Sequence, residues 1–398
     1  MPRPPLELAD IFRQHGPAYR QAHDLPWPQQ ALMRAIEVCR TPALGGVVEW
    51  CSHCQYSHVQ YRSCRNRHCP KCQGLARANW LEQRQAELLP VEYFHVVFTV
   101  PQEVAAISYQ NKAVVYDILF HATSETLRTI AGDPKHLGAE IGFIAILHTW
   151  GQNLMHHPHL HCVVPGGGIS PDGKRWVACR PGFFLPVRVL SRLFRRLFLE
   201  QLQQAFDDNK LNFYNSLEAL CSRVAFAKYL APTKRAKWVV YAKKPFGGPE
   251  QVLQYLGRYT HRVAISNNRL VEFADGQVSF NWKDYRHESH IKTMRLDAQE
   301  FVRRFLLHVL PTGFQRIRHY GFLANRYREV KLENCRQLLG VPVPIVEAPD
   351  AQLQYQDRYE RLTGVSLRDC PHCGRGHMVL IESFRPGSLP RGPPAIAS

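Results

Sequence analysis

Three histidines at alternate positions are the residues in this sequence best suited to chemistry. His157, His159 and His161 lead directly into an apolar run that ends at Val164. Side chains at alternate positions of a β-strand lie on one face, so a strand here would present three imidazoles together. Neutral imidazole is the commonest metal ligand in proteins. The segment therefore predicts part of a metal site, and the alternative is a histidine-rich strand end that binds no ion.

Two tyrosines further along the chain are candidate nucleophiles. Tyr255 and Tyr259 are four positions apart in a segment that favours a helix beginning after Gly247, Gly248 and Pro249. Residues at this spacing share one helix face. A phenol can attack phosphorus when a metal ion or a nearby cation stabilises the phenolate, and Arg258 and Arg262 lie beside these tyrosines. The alternative is an aromatic pair packed in a core.

The composition indicates an acidic polymer as the partner. The 398 residues include 50 Lys and Arg against 33 Asp and Glu, a formal net charge of +17, and 20 histidines. A basic excess of this kind favours phosphate binding through counterion release. No segment has the pattern of a signal peptide or a membrane span, which predicts a cytoplasmic protein without a membrane partner. In that setting, 12 cysteines favour metal ligation over disulfides.

Two Cys-x-x-Cys pairs near the N-terminus predict a structural zinc site. Cys51 and Cys54 form the first pair, and Cys69 and Cys72 form the second. Four cysteines at this separation are typical of a closed tetrahedral zinc site. A mixed ligand set or a second metal is an open alternative, with these further candidates: Cys39, His58, Cys64 and His68.

Basic residues near the predicted zinc site and in the C-terminal half are candidate DNA contacts. Cations without an intervening acid surround the second pair: Arg62, Arg65, Arg67, Lys71 and Arg77. Arg316 and Arg318 lie in a region where basic and aromatic residues alternate, a composition that suits single-stranded DNA. Cys370 and Cys373 form a third pair, which is either a small zinc knuckle completed by His377 and Cys335 or a pair of free thiols.

The periodicity of apolar residues predicts an α+β fold. The predicted strands alternate with predicted helices. The strands are at 93–100, 138–147, 159–165 and 237–243, and the helices are at 102–131, 186–206 and 215–230. A further strand is predicted at 278–282 and a capped helix at 297–310. The loop at 168–175 resembles a phosphate-binding loop but continues as a strand, so we expect no nucleotide cofactor.

Four consecutive domains are predicted from these patterns. They are N-terminal helices with the zinc-binding DNA-contact domain (1–88), a catalytic domain (89–270), a basic aromatic-rich DNA-contact region (271–340) and a linker with a cysteine pair and a tail disordered from 384 (341–398).

In combination, these motifs resemble the two-tyrosine rolling-circle transposases of the insertion-sequence-91 family. That family belongs to the wider class of His-hydrophobe-His single-strand endonucleases. The resemblance runs over about residues 10–330 and rests on the following segments: 63–72, 148–161, 255–262, 283–286 and 316–321.

The resemblance implies a central antiparallel sheet flanked by helices, with an N-terminal zinc-binding domain. It implies that His159 and His161 hold Mg²⁺ or Mn²⁺, and that a third ligand is His148 or His157, with His148 preferred. Tyr255 and Tyr259 would nick and rejoin single-stranded DNA through a 5′-phosphotyrosine, at transposon ends and at the target.

The same resemblance places the protein at a bacterial nucleoid, where a host helicase or the replication machinery could separate the strands. Two other functions fit parts of the sequence. A non-catalytic, zinc-dependent DNA-binding regulator would account for the charge and the cysteines, and a metal-dependent nuclease would use water in place of tyrosine.

Overall fold

The computed structural model describes residues 6–243, 251–252, 257, 263–284, 290–342, 355–364 and 366–390. The chain divides into two compact units, each assembled from separated segments. One unit contains residues 1–83, 261–309 and 345–398, and the other contains 84–260 and 310–344. The four consecutive domains predicted from the sequence do not follow these units, because distant segments pair with each other in both.

The strands, numbered in chain order, are β1 (Gly46–Cys51), β2 (Ser57–Tyr61), β3 (Tyr93–Thr99), β4 (Gly142–Trp150), β5 (His156–Pro165), β6 (Gly167–Ile169), β7 (Trp176–Ala178), β8 (Val240–Ala242), β9 (Leu270–Ala274), β10 (Gln277–Asp284), β11 (His290–Asp297), β12 (Ile317–Gly321) and β13 (Met378–Phe384).

The α-helices are α1 (Leu8–Ala22), α2 (Trp27–Glu37), α3 (Gln73–Gln85), α4 (Gln102–Gln110), α5 (Lys112–Gly132), α6 (Val187–Asp207), α7 (Arg223–Arg235), α8 (Ala298–Leu306), α9 (Arg328–Leu339) and α10 (Tyr355–Thr363). Short 3₁₀ helices lie at Pro42–Leu44, Asn215–Cys221 and Asn267–Arg269. The helix predicted at 215–230 is thus a 3₁₀ helix followed by α7. The predicted tyrosine helix at 250–259 lies largely outside the described residues.

A five-stranded sheet forms the centre of the unit that contains 84–260 and 310–344. Its strand order is β12-β4-β5-β3-β8, and every neighbouring pair is antiparallel. Helices α4 and α5 contact β5, and α6 contacts β8. The predicted α+β class, with a central antiparallel sheet flanked by helices, is confirmed.

The two faces of this sheet differ in character. Phe98 of β3, Leu147 of β4 and Leu160 of β5 belong to one apolar core that also contains side chains of α4, α5 and α6. Because side chains alternate between faces, the residues next to these in each strand lie on the opposite face. That opposite face carries His159 and His161, and the helical core supports the strands from behind.

The other unit contains two three-stranded sheets, with orders β13-β1-β2 and β11-β10-β9. Helices α1 and α2 pack together, and α1 contacts α8, where the rings of Phe12 and Phe305 meet edge to face at 5.5 Å. The side chain of Asp297 accepts a hydrogen bond from the backbone of Gln299 and caps α8, as the sequence predicts.

The C-terminal segment corrects one prediction. Residues from 384 onward were expected to be disordered, but Phe384 ends β13, is buried, and pairs with Gly46 of β1. Strand β13 was not predicted, because its partner is remote in sequence and its own pattern is short. No helix among the described residues is long and apolar enough to cross a membrane.

Candidate metal centres and catalytic site

Three histidines converge on the face of the central sheet that lies opposite the helical core. The antiparallel register places His148 of β4 directly across from His159 of β5, and His161 lies two positions further along β5. One ring nitrogen of each of the three residues, here termed the histidine cluster, lies within 4.8 Å of the others. His148 and His161 are buried, and His159 is half-buried.

His157 does not join the histidine cluster, although it belongs to the same strand. The register of β4 and β5 is irregular between His148 and Trp150, so the regular pairing ends before it reaches His157. The carbonyl oxygen of His157 instead lies 2.7 Å from Nδ1 of His159. Since a carbonyl only accepts, Nδ1 of His159 carries the hydrogen, and Nε2 carries the lone pair that a metal ligand needs.

His95 is a fourth histidine of this face that the sequence analysis did not identify. Nε2 of His95 lies 2.8 Å from Nδ1 of His161, and the two ring planes are nearly parallel, at 6°, with centroids 5.0 Å apart, so the rings meet edge to edge. Burial lowers the pKa of His95 to about 3, with smaller contributions from Lys243 and His159. A neutral His95 can accept from Nδ1–H of His161, which directs Nε2 of His161 towards the cluster.

The signal for His95 lies in strand register alone. In sequence, His95 is a single histidine in an apolar strand, a pattern typical of a core residue. The two imidazoles come together because Val97 pairs with His161, and His95 lies two positions from Val97 on the same face of β3.

His156 shows the contrast between the two faces of β5. Its side chain points into the core, where the hydroxyl of Tyr116 lies 2.9 Å from Nε2 and the carbonyl of Ala105 lies 3.2 Å from Nδ1. Burial, with a contribution from Lys112, lowers the pKa of His156 to about 3. Both ring nitrogens are engaged, so His156 is a structural residue.

The histidine cluster fits a divalent cation. Three imidazoles on two hydrogen-bonded strands could hold such an ion and would leave further coordination positions for a substrate or water. No carboxylate of the part of the chain that the structure describes joins the group. The candidate nucleophiles Tyr255 and Tyr259, and the neighbouring Arg258 and Arg262, lie outside the described residues.

The cysteines form two clusters whose membership differs from the predicted set. The first cysteine cluster contains Cys39, Cys64, Cys69 and Cys72, with sulfur–sulfur distances of 3.5, 3.6 and 3.7 Å. A tetrahedron with zinc–sulfur bonds of about 2.3 Å has edges of about 3.8 Å, so these spacings fit zinc and exclude disulfides. Hydrogen bonds from Cys64 and Cys69 lower the pKa of Cys39 to about 7.

The second cysteine cluster contains Cys51, Cys54, Cys370 and Cys373. The prediction that the two N-terminal pairs share one ion is therefore wrong. The pairing of β1 with β13 places Cys51 and Cys54 beside the C-terminal cysteine pair. The alternatives for the C-terminal pair are also corrected. Neither Cys335 nor His377 belongs to a cluster among the described residues, and His58 and His68, candidate ligands of the N-terminal site, do not either.

The predicted DNA-contact residues have different environments. Arg65 is exposed, whereas Arg67 is half-buried and burial lowers its pKa. Arg318 forms an ion pair with Asp117 and lies over the ring of Phe120, and Arg316 is buried. Both Arg316 and Arg318 therefore have environments set by the protein itself, and their contact with DNA stays a prediction.

Lys71, counted among the basic residues around the zinc site, is structural. Its Nζ lies 2.8 Å from the buried carboxylate of Glu7 and 3.1 Å from the carbonyl oxygen of Cys39. This pair ties α1 to the first cysteine cluster.

Comparisons with known proteins agree with this architecture. A family model described as a transposase zinc-binding domain matches residues 11–100, and one described as a putative transposase matches residues 142–331. The chain is 66% identical over 385 residues to the putative transposase y4qJ of Sinorhizobium fredii, with 96% of this chain and 97% of the relative covered.

A second relative is the transposase for insertion sequence element IS801 of Pseudomonas savastanoi pv. phaseolicola. The identity is 25% over 339 residues, with 84% of this chain and 79% of the relative covered. No solved structure matches the chain. With a zinc-binding domain, a central antiparallel sheet and these relatives, the chain belongs to the insertion-sequence-91 family of transposases, enzymes that cut and join DNA.

Proposed function

We propose that this protein nicks and rejoins single-stranded DNA during rolling-circle transposition, through a covalent 5′-phosphotyrosine. The observation that carries the proposal is the histidine cluster, in which two adjacent strands present His148, His159 and His161 within 4.8 Å of one another on the sheet face opposite the helical core. Three convergent imidazoles on a rigid sheet favour a metal-assisted reaction over a role in DNA binding alone.

The residues of the histidine cluster would hold Mg²⁺ or Mn²⁺. When bound, the cation supplies Lewis-acid polarisation of the scissile phosphate. Imidazole ligands without a carboxylate favour a softer ion than Mg²⁺ on chemical grounds, which makes Mn²⁺ the better match to this set. His95 fixes the orientation of the His161 ring, and the carbonyl of His157 fixes that of His159.

Tyr255 and Tyr259 supply the nucleophiles in this proposal. The phenol of one tyrosine loses its proton and its oxygen attacks phosphorus, the bond between phosphorus and the 3′ oxygen breaks, and the 3′ oxygen takes up a proton. The products are a 5′-phosphotyrosine and a free 3′-hydroxyl, so the bond energy is retained and rejoining needs no nucleotide. A second tyrosine permits a second cleavage. Arg258 and Arg262 would stabilise the phenolate and the phosphate.

The DNA partner is proposed to be single-stranded at the transposon ends and at the target. The net charge of +17 and the exposed Arg65 support binding to phosphates. Strand separation would come from a host helicase or from the replication machinery.

A covalent-adduct assay tests the proposal. Single-stranded DNA labelled at its 3′ end keeps the label on the fragment downstream of the cut, so the 5′-phosphotyrosine adduct migrates at protein size on a denaturing gel. We expect the adduct with wild-type protein and Mn²⁺, and none with the Tyr255→Phe, Tyr259→Phe double variant. That variant keeps both rings and should bind the DNA as wild type does.

Variants of the histidines provide a matched comparison. His148→Ala should reduce adduct formation by about 100-fold or more, because it removes a ligand, whereas His157→Ala should change it only a few-fold. An adduct formed by the double phenylalanine variant would refute the assignment of the nucleophiles. Cleavage without an adduct would indicate activated water, and binding without metal-dependent cleavage would indicate a DNA-binding regulator.

A further inference from the structure

The second cysteine cluster joins two segments from opposite ends of the sequence. Sγ of Cys51 lies 3.8 Å from Sγ of Cys373, and Sγ of Cys54 lies 3.7 Å from Sγ of Cys370. Both distances match the edge of about 3.8 Å expected for a tetrahedral zinc–thiolate site, and both are far longer than a disulfide bond. Cys51 and Cys370 are buried, and Cys54 and Cys373 are half-buried.

Backbone amides point at the sulfurs in both Cys-x-x-Cys loops. In the first loop the backbone amides of His53 and Cys54 point at Sγ of Cys51, at 3.4 and 3.5 Å. In the second loop the amide of His372 lies 3.4 Å from Sγ of Cys370. The amide of Gly376 lies 3.4 Å from Sγ of Cys373. Amide donors stabilise the thiolate, which is the form that ligates zinc.

The backbone around the cluster brings the two loops into close contact. Strands β1 and β13 pair until Cys51 opposes Met378, and the amide of Ser52 then donates to the carbonyl of His377 at 3.1 Å. A Cβ at Gly376 would lie 2.6 Å from Sγ of Cys51 and 2.6 Å from Cβ of His53, so only glycine fits there. Next to the cluster, the rings of Tyr56 and His372 stack with their centroids 5.3 Å apart.

We propose that the second cysteine cluster binds a second structural zinc ion, which closes the N-terminal zinc-binding domain with the C-terminal segment of the chain. The match to the transposase zinc-binding family model ends at residue 100, so it includes Cys51 and Cys54 but not Cys370 and Cys373. The protein then carries two zinc ions in four-cysteine sites, and β13 is part of the zinc-binding unit. The site is closed, since four thiolates complete a tetrahedron, and its role is structural.

Metal analysis of the full-length protein tests this inference. We expect two zinc ions per chain in the wild type, measured by mass spectrometry of the metal against protein concentration. The Cys370→Ser, Cys373→Ser double variant should retain one, and the control variant Cys221→Ser, at an exposed cysteine outside both clusters, should retain two. One zinc ion in the wild type, with no loss in the double variant, would overturn the inference.

A thiol-protection experiment on the wild type avoids dependence on how the variant folds. In zinc-loaded protein, alkylation should label Cys221 at once and leave Cys370 and Cys373 unlabelled. Addition of a chelator should make both reactive, as read by peptide mass spectrometry. Labelling of Cys370 and Cys373 at the rate of Cys221 in the zinc-loaded protein would also overturn the inference.

Discussion

His95 should control metal affinity through its hydrogen bond to His161. His95→Phe keeps a planar ring at this buried position and removes the nitrogen that lies 2.8 Å from Nδ1 of His161. A buried donor without a partner costs about 1–3 kcal/mol, and about 1.4 kcal/mol corresponds to a factor of ten. We therefore expect metal affinity to fall by about 10- to 100-fold, the range found for outer-shell partners of ligating histidines.

The assay is the rate of adduct formation in a single turnover, measured as a function of Mn²⁺ concentration. For His95→Phe, the Mn²⁺ concentration that gives half the maximal rate should rise by the predicted factor. The rate at saturating Mn²⁺ should stay within a few-fold of wild type, because His95 is buried and acts by orienting a ligand.

Two amide variants distinguish a positioning role from a packing role. The longer amide of His95→Gln can place its oxygen near the position of Nε2 and should restore much of the affinity. The shorter His95→Asn reaches only the position of Nδ1 and should not. A lower rate at saturating Mn²⁺ with an unchanged metal requirement would refute this reasoning, and so would equal behaviour of the two amides. Thermal unfolding of each variant serves as the folding control.

Two further predictions concern stability and DNA binding. Lys71→Met leaves the buried carboxylate of Glu7 without its partner and should destabilise the protein by about 3 kcal/mol in urea unfolding, with no change in the salt dependence of DNA binding. Arg65→Ala should instead lower the slope of the logarithm of the DNA-binding constant against the logarithm of salt concentration by about 0.7–0.9. Burial, with Arg84 and Arg328, lowers the pKa of His319 from 6.5 to about 4, so the unfolded state binds a proton at a higher pH than the folded state does. The stability that is present above pH 6.5 is therefore lost as the pH falls towards 4. His319→Gln should remove up to about 3 kcal/mol of this loss, measured as the free energy of unfolding at both pH values.

The central sheet could be predicted from sequence because its strands carry their own signals. Strand β3 is a run of apolar and aromatic residues closed by Pro101, and β5 begins with alternating histidines and continues as a buried apolar run. Both are long and buried, so local pattern and tertiary environment agree. Strand β12 has a mixed, half-buried pattern, and only its pairing with β4 defines it.

The candidate metal ligands were predictable as residue types, but their grouping into clusters was not. Spacing identified Cys51 with Cys54 and Cys69 with Cys72 as pairs, but spacing contains no information about which pairs meet in space. The pairing of β1 with β13 decides that question, and it depends on contacts between residues at opposite ends of the sequence. His95 was missed for the same reason.

The pairing of β1 with β13 also sets an order of events during synthesis of the protein. Strand β1 leaves the ribosome early and can pair at once with β2, but its other edge has no partner until β13 has been translated. Contacts between segments so far apart in sequence form slowly, and an unpaired strand edge is exposed to aggregation while it waits. A nascent chain therefore cannot complete its zinc-binding unit before almost all of the polypeptide has been made. A product truncated before β13 would carry the intact histidine cluster beside an N-terminal unit with an open edge.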